Sequence, residues 1–524
     1  MGAEAAEAAR GTILRHRVLL STLSNYVGKF TALGFAFLLT PFLVHQLGPA
    51  AFGLWVLVDA VMGYGSLLDF GIADAIIKYV AEYRAKGQID QAHGLVATAL
   101  WLYSALGLVA FGLSAALAPL FPLLFNVPPE DRTTATSLVA LTGLLLGISI
   151  PSASTTAALR GLQRYDVANS LAVAGTLISG GATVTVVLLG GGLLGMAAIG
   201  IPITLLMQVV TVWCIRRIAP ELRFGWRGAR RALVKTVFAF SASLSVMHLA
   251  GRIQTKTDEV VIGAFLPLSA VTPYALADRL SQVPQILTDQ FMKVLAPLAS
   301  ELHAENDLAR LRALYIVGSR LTLAIFLPIA CTFVVLAGPI LTAWVGADYA
   351  NSAPIVVILV LASLIETSQW PAMALLQGIA RHQPLARMWA AAAVANLGLS
   401  IALVHSFLGV TGVAIGTLIP TTAVCFGFVL PYAMRTLGVS MQQVVAEVVW
   451  PAVQPAIPSV ALLWVLRQLL QPTPIVTILL MSMVMLCVYA TLYLTMSATG
   501  LERRMVRDVT LSITRTFRTL TLHP

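Results

Sequence analysis

Charge is scarce in this 524-residue chain: Asp, Glu, Lys and Arg together make 11% of it, against 58% hydrophobic residues and a mean hydropathy of +0.86. That balance excludes an ordinary soluble domain, because the apolar surface exceeds what one interior can hide, and points to a polytopic membrane protein. Cysteine is rarer still. Cys214, Cys331, Cys425 and Cys487 each stand alone in or at the end of an apolar stretch, so neither a disulfide framework nor a metal cluster is expected, and they read as small core residues. No Gly-rich phosphate loop, nucleotide-binding fingerprint or metal-ligand spacing occurs, so no cofactor and no ATP use are expected. At the N-terminus no small-residue cleavage site follows a short apolar core, and Ala6 breaks the myristoylation pattern; a removed signal peptide and an acyl anchor are therefore not expected.

Apolar runs fill the rest. A helix needs roughly 20 mostly apolar residues to cross the ~30 Å hydrocarbon layer. Segments of that kind centre near 18–44, 51–77, 94–118, 137–159, 170–190 and 193–215, then 236–264, 272–297, 316–341, 354–379, 386–407 and 410–432, with two more at 450–469 and 475–496. The expected fold is all-α, with about 14 transmembrane helices. The chain divides into a polar segment 1–17, a first lobe 18–215, a basic linker 216–235, a second lobe 236–434, a further helix pair within 435–498, and a basic tail 499–524.

The six-plus-six grouping rests on an internal repeat. Shifting Leu47, Ala51, Leu57, Asp59, Leu68, Glu82 and Ala85 forward by 219 residues lays them without a gap on Leu266, Ala270, Leu276, Asp278, Leu287, Glu301 and Ala304. Two later anchors keep nearly the same offset: LRGLQR from Leu159 recurs as LQGIAR from Leu376, and GMAAIG from Gly195 as GVAIG from Gly412. Parallel repeats of this kind are a transporter architecture, with the site at the interface of the halves.

Orientation follows from the cations, which are retained on the cytoplasmic side. With the N-terminus inside, 26 of the 33 Lys and Arg fall on inner loops and adjoining span ends, and only Arg132 and Arg467 fall outside. Both termini are then cytoplasmic. The net charge of +10 is accounted for by these loops, which face an anionic leaflet. With no basic groove and no interleaved aromatics, nucleic-acid binding is not expected.

The remaining five cations, Lys29, Arg252, Lys256, Arg279 and Lys293, lie within expected spans. A charge deep in the bilayer costs at least ~2.5 kcal/mol, so such groups face a bundle interior or a wet cavity. In the seventh span Ser241, Ser245, His248, Arg252, Lys256 and Glu259 share one helical face. Ser21, Asn25 and Lys29 in the first span, and Asp278, Gln282, Gln285 and Asp289 in the eighth, make shorter stripes. Together they imply a central aqueous cavity of cationic character. Asn25, Lys29, His248, Arg252, Lys256 and Arg279 are the candidate substrate-binding residues, with Asp59, Asp258, Glu259 and Asp278 as charge partners. Asp59 and Asp278 fit equally well a plain pairing with cations across the bundle. Glu366 and His405 stand alone and read as packing or hydrogen-bonding residues.

The stretch LLTPFLVHQLGPAAFGLWVLV, followed by LLDFGIADAIIKYVAEYRAKG, resembles the start of Wzx-type polysaccharide biosynthesis flippases, in the multidrug/oligosaccharidyl-lipid/polysaccharide exporter superfamily. LRGLQRYDVAN and DEVVIGAFLPLSAVTPYALADRL resemble the same pattern, and the likeness runs to about Met434. ALADRLSQVP is also similar to the eighth helix of lipid II flippases, where the arginine matching Arg279 is implicated in transport.

The resemblance implies a V-shaped pair of six-helix lobes in a bacterial cytoplasmic membrane. By alternating access these would move a polyprenyl-diphosphate-linked oligosaccharide from the inner to the outer leaflet, alongside polymerase and export partners, with H+ or Na+ as possible coupling ions. The family often carries Arg where this first span has Lys29; the charge is kept and bidentate phosphate geometry is lost. Two alternatives stand beside this reading. One is a drug/cation antiporter of the same superfamily, which usually places a carboxylate in the first helix. The other is a membrane polymerase or glycosyltransferase, which usually carries a sizeable outer loop or a soluble domain.

Overall fold

The first helical stretch, Gly2–Gly63, is 62 residues long and breaks once, at Gly48, whose φ of 79° and ψ of 167° lie outside the helical region. A side chain is strained there, so glycine is the residue that permits the turn. Pro49 follows and starts the next segment without needing its missing N–H. The sequence Gly48–Pro49 thus folds one long apolar run into two helices, as its dipeptide suggests.

The computed structural model describes residues 2–222, 225, 228–230, 233–235, 237, 256–500, 502–504 and 507, with side chains from Gly28 onward except those of Ser66, Leu287, Gln290, Phe291 and Lys293. Among the described residues every regular element is helical, and no strand occurs. Among the described residues, eleven stretches are long and apolar enough to cross a membrane. One of them, Gly28–Ala85, contains the Gly48 break. The helix Val271–Ala304, where an eighth span is expected, is not among the eleven.

Two compact units are present, Met1–Thr272 and Pro273–Pro524. In the first, Ile76, Leu95, Tyr103, Leu159 and Ile215 form the centre of a buried cluster. Its helices approach closely on small residues. Gly143 and Gly147 of Arg132–Gly161 form a GxxxG pair, and a Cβ on them would lie 2.3 Å from the Ser114 side chain and 3.0 Å from the Gly107 carbonyl oxygen of Ile89–Leu117. Without a hydrophobic drive between helices in lipid, such close backbone packing is what holds them together. Asp69 ends the second span as the acceptor of the Tyr103 hydroxyl.

In the second unit, Leu295, Tyr315, Leu375, Leu376 and Leu437 lie in the main buried cluster. Arg320, whose position near a span end counts it with the inner-loop cations, is instead buried within Leu308–Val345. Its Nε donates to Glu502 Oε1 at 2.8 Å and its Nη1 to the Glu447 carbonyl at 3.3 Å, while Glu502 Oε2 accepts from the Thr499 N–H at 2.8 Å. Glu447 sits in a π-helical turn, Val444–Val449. A turn of that kind departs from the regular i to i−4 ladder, and here one of its carbonyls meets the guanidinium.

Candidate functional site

One seam runs through the first unit. The Thr272 hydroxyl donates to the Pro49 carbonyl at 2.6 Å, a Cβ on Gly53 would lie 2.1 Å from the Leu268 carbonyl oxygen, a Cβ on Gly263 would lie 2.6 Å from Leu57, and the Tyr64 and Thr257 hydroxyls are 3.1 Å apart. About every turn forward along 49–64 is matched by a turn backward along 257–272. These are therefore antiparallel segments, packed face to face through residues at helical spacing. The Asn126 N–H and side-chain amide flank its middle, donating to the Gly263 and Ala264 carbonyls at 3.3 and 3.1 Å. Under the 219-residue shift Pro49 becomes Leu268 and Gly53 becomes Thr272. The contacts Pro49–Thr272 and Gly53–Leu268 thus exchange with one another, about a centre at Ala51 and Ala270.

The end of the seam at Tyr64 and Thr257 carries the charge. Lys256 Nζ lies 3.6 Å from Glu259 Oε1, the spacing of three that one helix face allows. Asp258 and Glu259 are buried, and among the described residues Glu259 Oε2 has no hydrogen-bond partner. A buried carboxylate oxygen left unpaired forgoes the hydrogen bonds that normally offset its desolvation. Lys256, Asp258 and Glu259 are electrostatic neighbours of the Tyr64 hydroxyl, and Asp59 is one of Glu259.

Beside this cluster opens a cavity of about 290 Å³. Trp55, Asp59 and Met62, one face of the segment after Gly48, form one wall; Thr142, Leu146 and Ser149, one face of Arg132–Gly161, form the other. Gly143 and Gly147, each about 100° round the helix from Thr142 and Leu146, pack on Ile89–Leu117, so the GxxxG pair that anchors the helix leaves its hydroxyl-bearing face to the cavity.

Of the sequence-derived site residues, Lys256, Asp258, Glu259 and Asp59 come together here. Lys29 is an exposed residue of Gly2–Gly63. Asp278 and Arg279 are half-buried on Val271–Ala304 in the second unit, where Gln282 donates to Asp278 Oδ2 at 2.7 Å. His248, Arg252 and the side chain of Asn25 lie outside the described residues. Tyr64 and the Trp55, Thr142 and Ser149 lining were not read from the sequence. The GxxxG of Gly143 and Gly147 is the signal that orients the second wall.

A family model described as polysaccharide biosynthesis protein matches residues 42–354. The uncharacterized membrane protein EpsK of Bacillus subtilis is 22% identical over 327 residues, 61% of this chain and 64% of its own length. The probable low-salt glycan biosynthesis flippase Agl15 of Haloferax volcanii is 21% identical over 411 residues, 76% of this chain and 79% of its own. Among solved structures, an inward-facing multidrug resistance MATE family transporter of the MOP superfamily aligns with a TM-score of 0.67 at 16% identity, covering 78% of this chain and 94% of that one. The lipid II flippase MurJ in an inward closed conformation aligns with a TM-score of 0.66 at 13% identity, covering 91% and 98%. At these identities the structures show a shared fold.

Proposed function

This chain belongs to the polysaccharide biosynthesis protein family, and we propose that it is a transporter, not an enzyme: a flippase for lipid-linked glycan. It carries a polyprenyl-diphosphate-linked oligosaccharide, an O-antigen, capsule or exopolysaccharide repeat unit, from the cytoplasmic to the outer leaflet of a bacterial cytoplasmic membrane. The observation that carries this reading is the family match over residues 42–354 in a chain with eleven membrane-length helical stretches. The flippase-named relative Agl15 supports it. The fold likeness alone does not choose between a glycan flippase and a drug transporter, since both kinds of neighbour share it.

In this reading fourteen spans form two six-helix lobes, 18–215 and 236–434, joined by the basic linker 216–235 and followed by a helix pair. Asn25, Lys29, His248, Arg252, Lys256 and Arg279 meet the diphosphate, whose charge requires cations. Asp258, Glu259 and Asp278 hold those cations while the site is empty. Glu259 suits such a role because its pairing with Lys256 is long and one of its oxygens is unsatisfied. The incoming diphosphate takes over the lysine, and the carboxylate reclaims it on release.

The test is a purified, reconstituted one. Vesicles holding the protein and a fluorescent polyprenyl-diphosphate oligosaccharide are treated with an impermeant quencher. Faster loss of the protected signal than in protein-free vesicles is expected, and Lys256→Ala and Arg279→Ala should abolish it with protein amounts unchanged. Transport of organic cations with no lipid flipping would favour the antiporter instead. Orientation is checked separately in a variant lacking Cys214, Cys331, Cys425 and Cys487: Arg223→Cys should resist an impermeant thiol reagent added outside the cell.

A further inference from the structure

The cavity beside Asp59 has a polar lining of one kind. The Asp59 carboxylate only accepts hydrogen bonds, and among the described residues it has no ion-pair partner within 4.0 Å. The Thr142 hydroxyl spends its proton on the Leu138 carbonyl at 2.7 Å, and Ser149 spends its own on the Leu146 carbonyl at 3.0 Å. Both oxygens therefore face a ligand as acceptors. Trp55 contributes an indole, and Met62 and Leu146 extend the apolar wall. A ligand for this space must donate hydrogen bonds and also carry apolar surface. An anion meets the opposite of what it needs, because the carboxylate repels it.

The arrangement of the acceptors narrows the class. Thr142 and Ser149 are two turns apart on one helix, about 10 Å along its axis, with Asp59 on the facing wall. Acceptors spread around a space match a ligand with donors around its rim, and a single ammonium centre would satisfy only one of them. The volume, about 290 Å³, is at the low end of ligand pockets, roughly 300 to 1,000 Å³, so it suits one ring and not a chain of them.

We propose that this cavity holds one sugar ring of the glycan, with its C–H face on Trp55 and its hydroxyls donating to Asp59, Thr142 and Ser149, and that it thereby accepts neutral and amino sugars and turns away uronic acids. The proposal rests on the flippase reading and adds to it a determinant of which glycans are carried.

The experiment uses the full chain in lipid nanodiscs and four probes of one polyprenyl length: the bare diphosphate, and the diphosphate bearing glucose, glucosamine or glucuronic acid. The glucose and glucosamine lipids should bind at least roughly tenfold more tightly than the glucuronic acid lipid, the scale of one hydrogen bond to a charged group. Asp59→Asn should weaken the glucose lipid by about that factor and close most of the gap to glucuronic acid. Trp55→Leu should weaken the glucose and glucosamine lipids and leave the bare diphosphate and the glucuronic acid lipid unchanged, and Trp55→Phe should restore the two that weaken. Should Asp59→Asn lose thermal stability, Ser149→Ala, which keeps the charge, should still weaken the glucose lipid. Equal binding of all three sugar lipids, unmoved by these substitutions, overturns the sugar site while the flippase reading stands, provided the bare diphosphate binds. Failure of every lipid, the bare one included, overturns the flippase reading itself. A quaternary ammonium that binds without any lipid and depends on Asp59 would assign the cavity to an organic cation and overturn the proposal.

Discussion

Among the described residues two ion pairs sit in low-exposure parts of the molecule, and they are built differently. In the second unit Arg320 and Glu502, 8% and 1% exposed, meet at 2.8 Å, and a backbone carbonyl and a backbone N–H take further positions on the two groups. In the first unit Lys256 and Glu259, 27% and 3% exposed, stand at 3.6 Å with one carboxylate oxygen unpartnered. The first pair is short and braced on both sides; it joins the segment after the last expected span to the first third of Leu308–Val345. The second is local, long and incomplete. A braced pair resists exchange of partners, and an incomplete one leaves an acceptor for a substrate or an ion to influence. The contrast separates a structural clamp from a group suited to change state.

The largest expected effect comes from breaking the clamp. Arg320→Ala leaves Glu502 buried without its cation and should destabilise the protein by about 3–5 kcal/mol, whereas replacing both residues by apolar ones of similar volume should be far milder. Thermal unfolding in detergent measures both, and equal losses would remove the distinction. Next in size is the seam. Gly53→Ala places a methyl against the Leu268 carbonyl, which a rotamer change does not relieve, and should cost about 1–3 kcal/mol. Gly263→Ala meets the far end of the Leu57 side chain and should cost less. Disulfide formation between Pro49→Cys and Thr272→Cys, with either alanine added, reports how far the helices part.

Glu259→Gln should have the smallest effect on stability, within about 1 kcal/mol, since a weakly paired charge is replaced by an amide of the same shape. Its effect on function should be visible: tighter binding of the lipid-linked glycan and slower turnover, because the competing anion is gone. Weaker binding with loss of pH dependence would reject partner exchange and favour a coupled ion at that carboxylate.

Much of this was legible in the sequence. Long apolar runs mark the membrane spans, Gly48–Pro49 marks the break, and the spacing of Lys256 and Glu259 places them on one face before any coordinates. What was not legible has physical reasons. Arg320 lies twelve residues into its helix, near enough to a loop to count as a flanking cation, and its partner Glu502 is 182 positions away in a basic tail. Nothing local announces that pair. The Asp59 cavity was hidden differently: lipid and core are both apolar, so composition does not tell which face of Arg132–Gly161 looks inward. Only the small-residue spacing of Gly143 and Gly147 does, and it identifies the face that packs on Ile89–Leu117, not the face at the cavity.

The seam also bears on descent. If the two copies of the repeat came from one unit, then in an ancestor carrying a single copy the contacts Pro49–Thr272 and Gly53–Leu268 were one contact, made twice across the two-fold axis of a homodimer. Fusion freed the two versions to diverge, and they have done so. At one copy of the position glycine lets a backbone carbonyl come close; at the other threonine offers its hydroxyl to the facing carbonyl at 2.6 Å. A chain restored to symmetry by Thr272→Gly would give up that hydrogen bond, and one restored by Gly53→Thr would not close. The two versions thus differ in what they tolerate: the close approach on Gly53 leaves no room for a larger side chain, while Thr272 fills the matching position and gains a hydrogen bond.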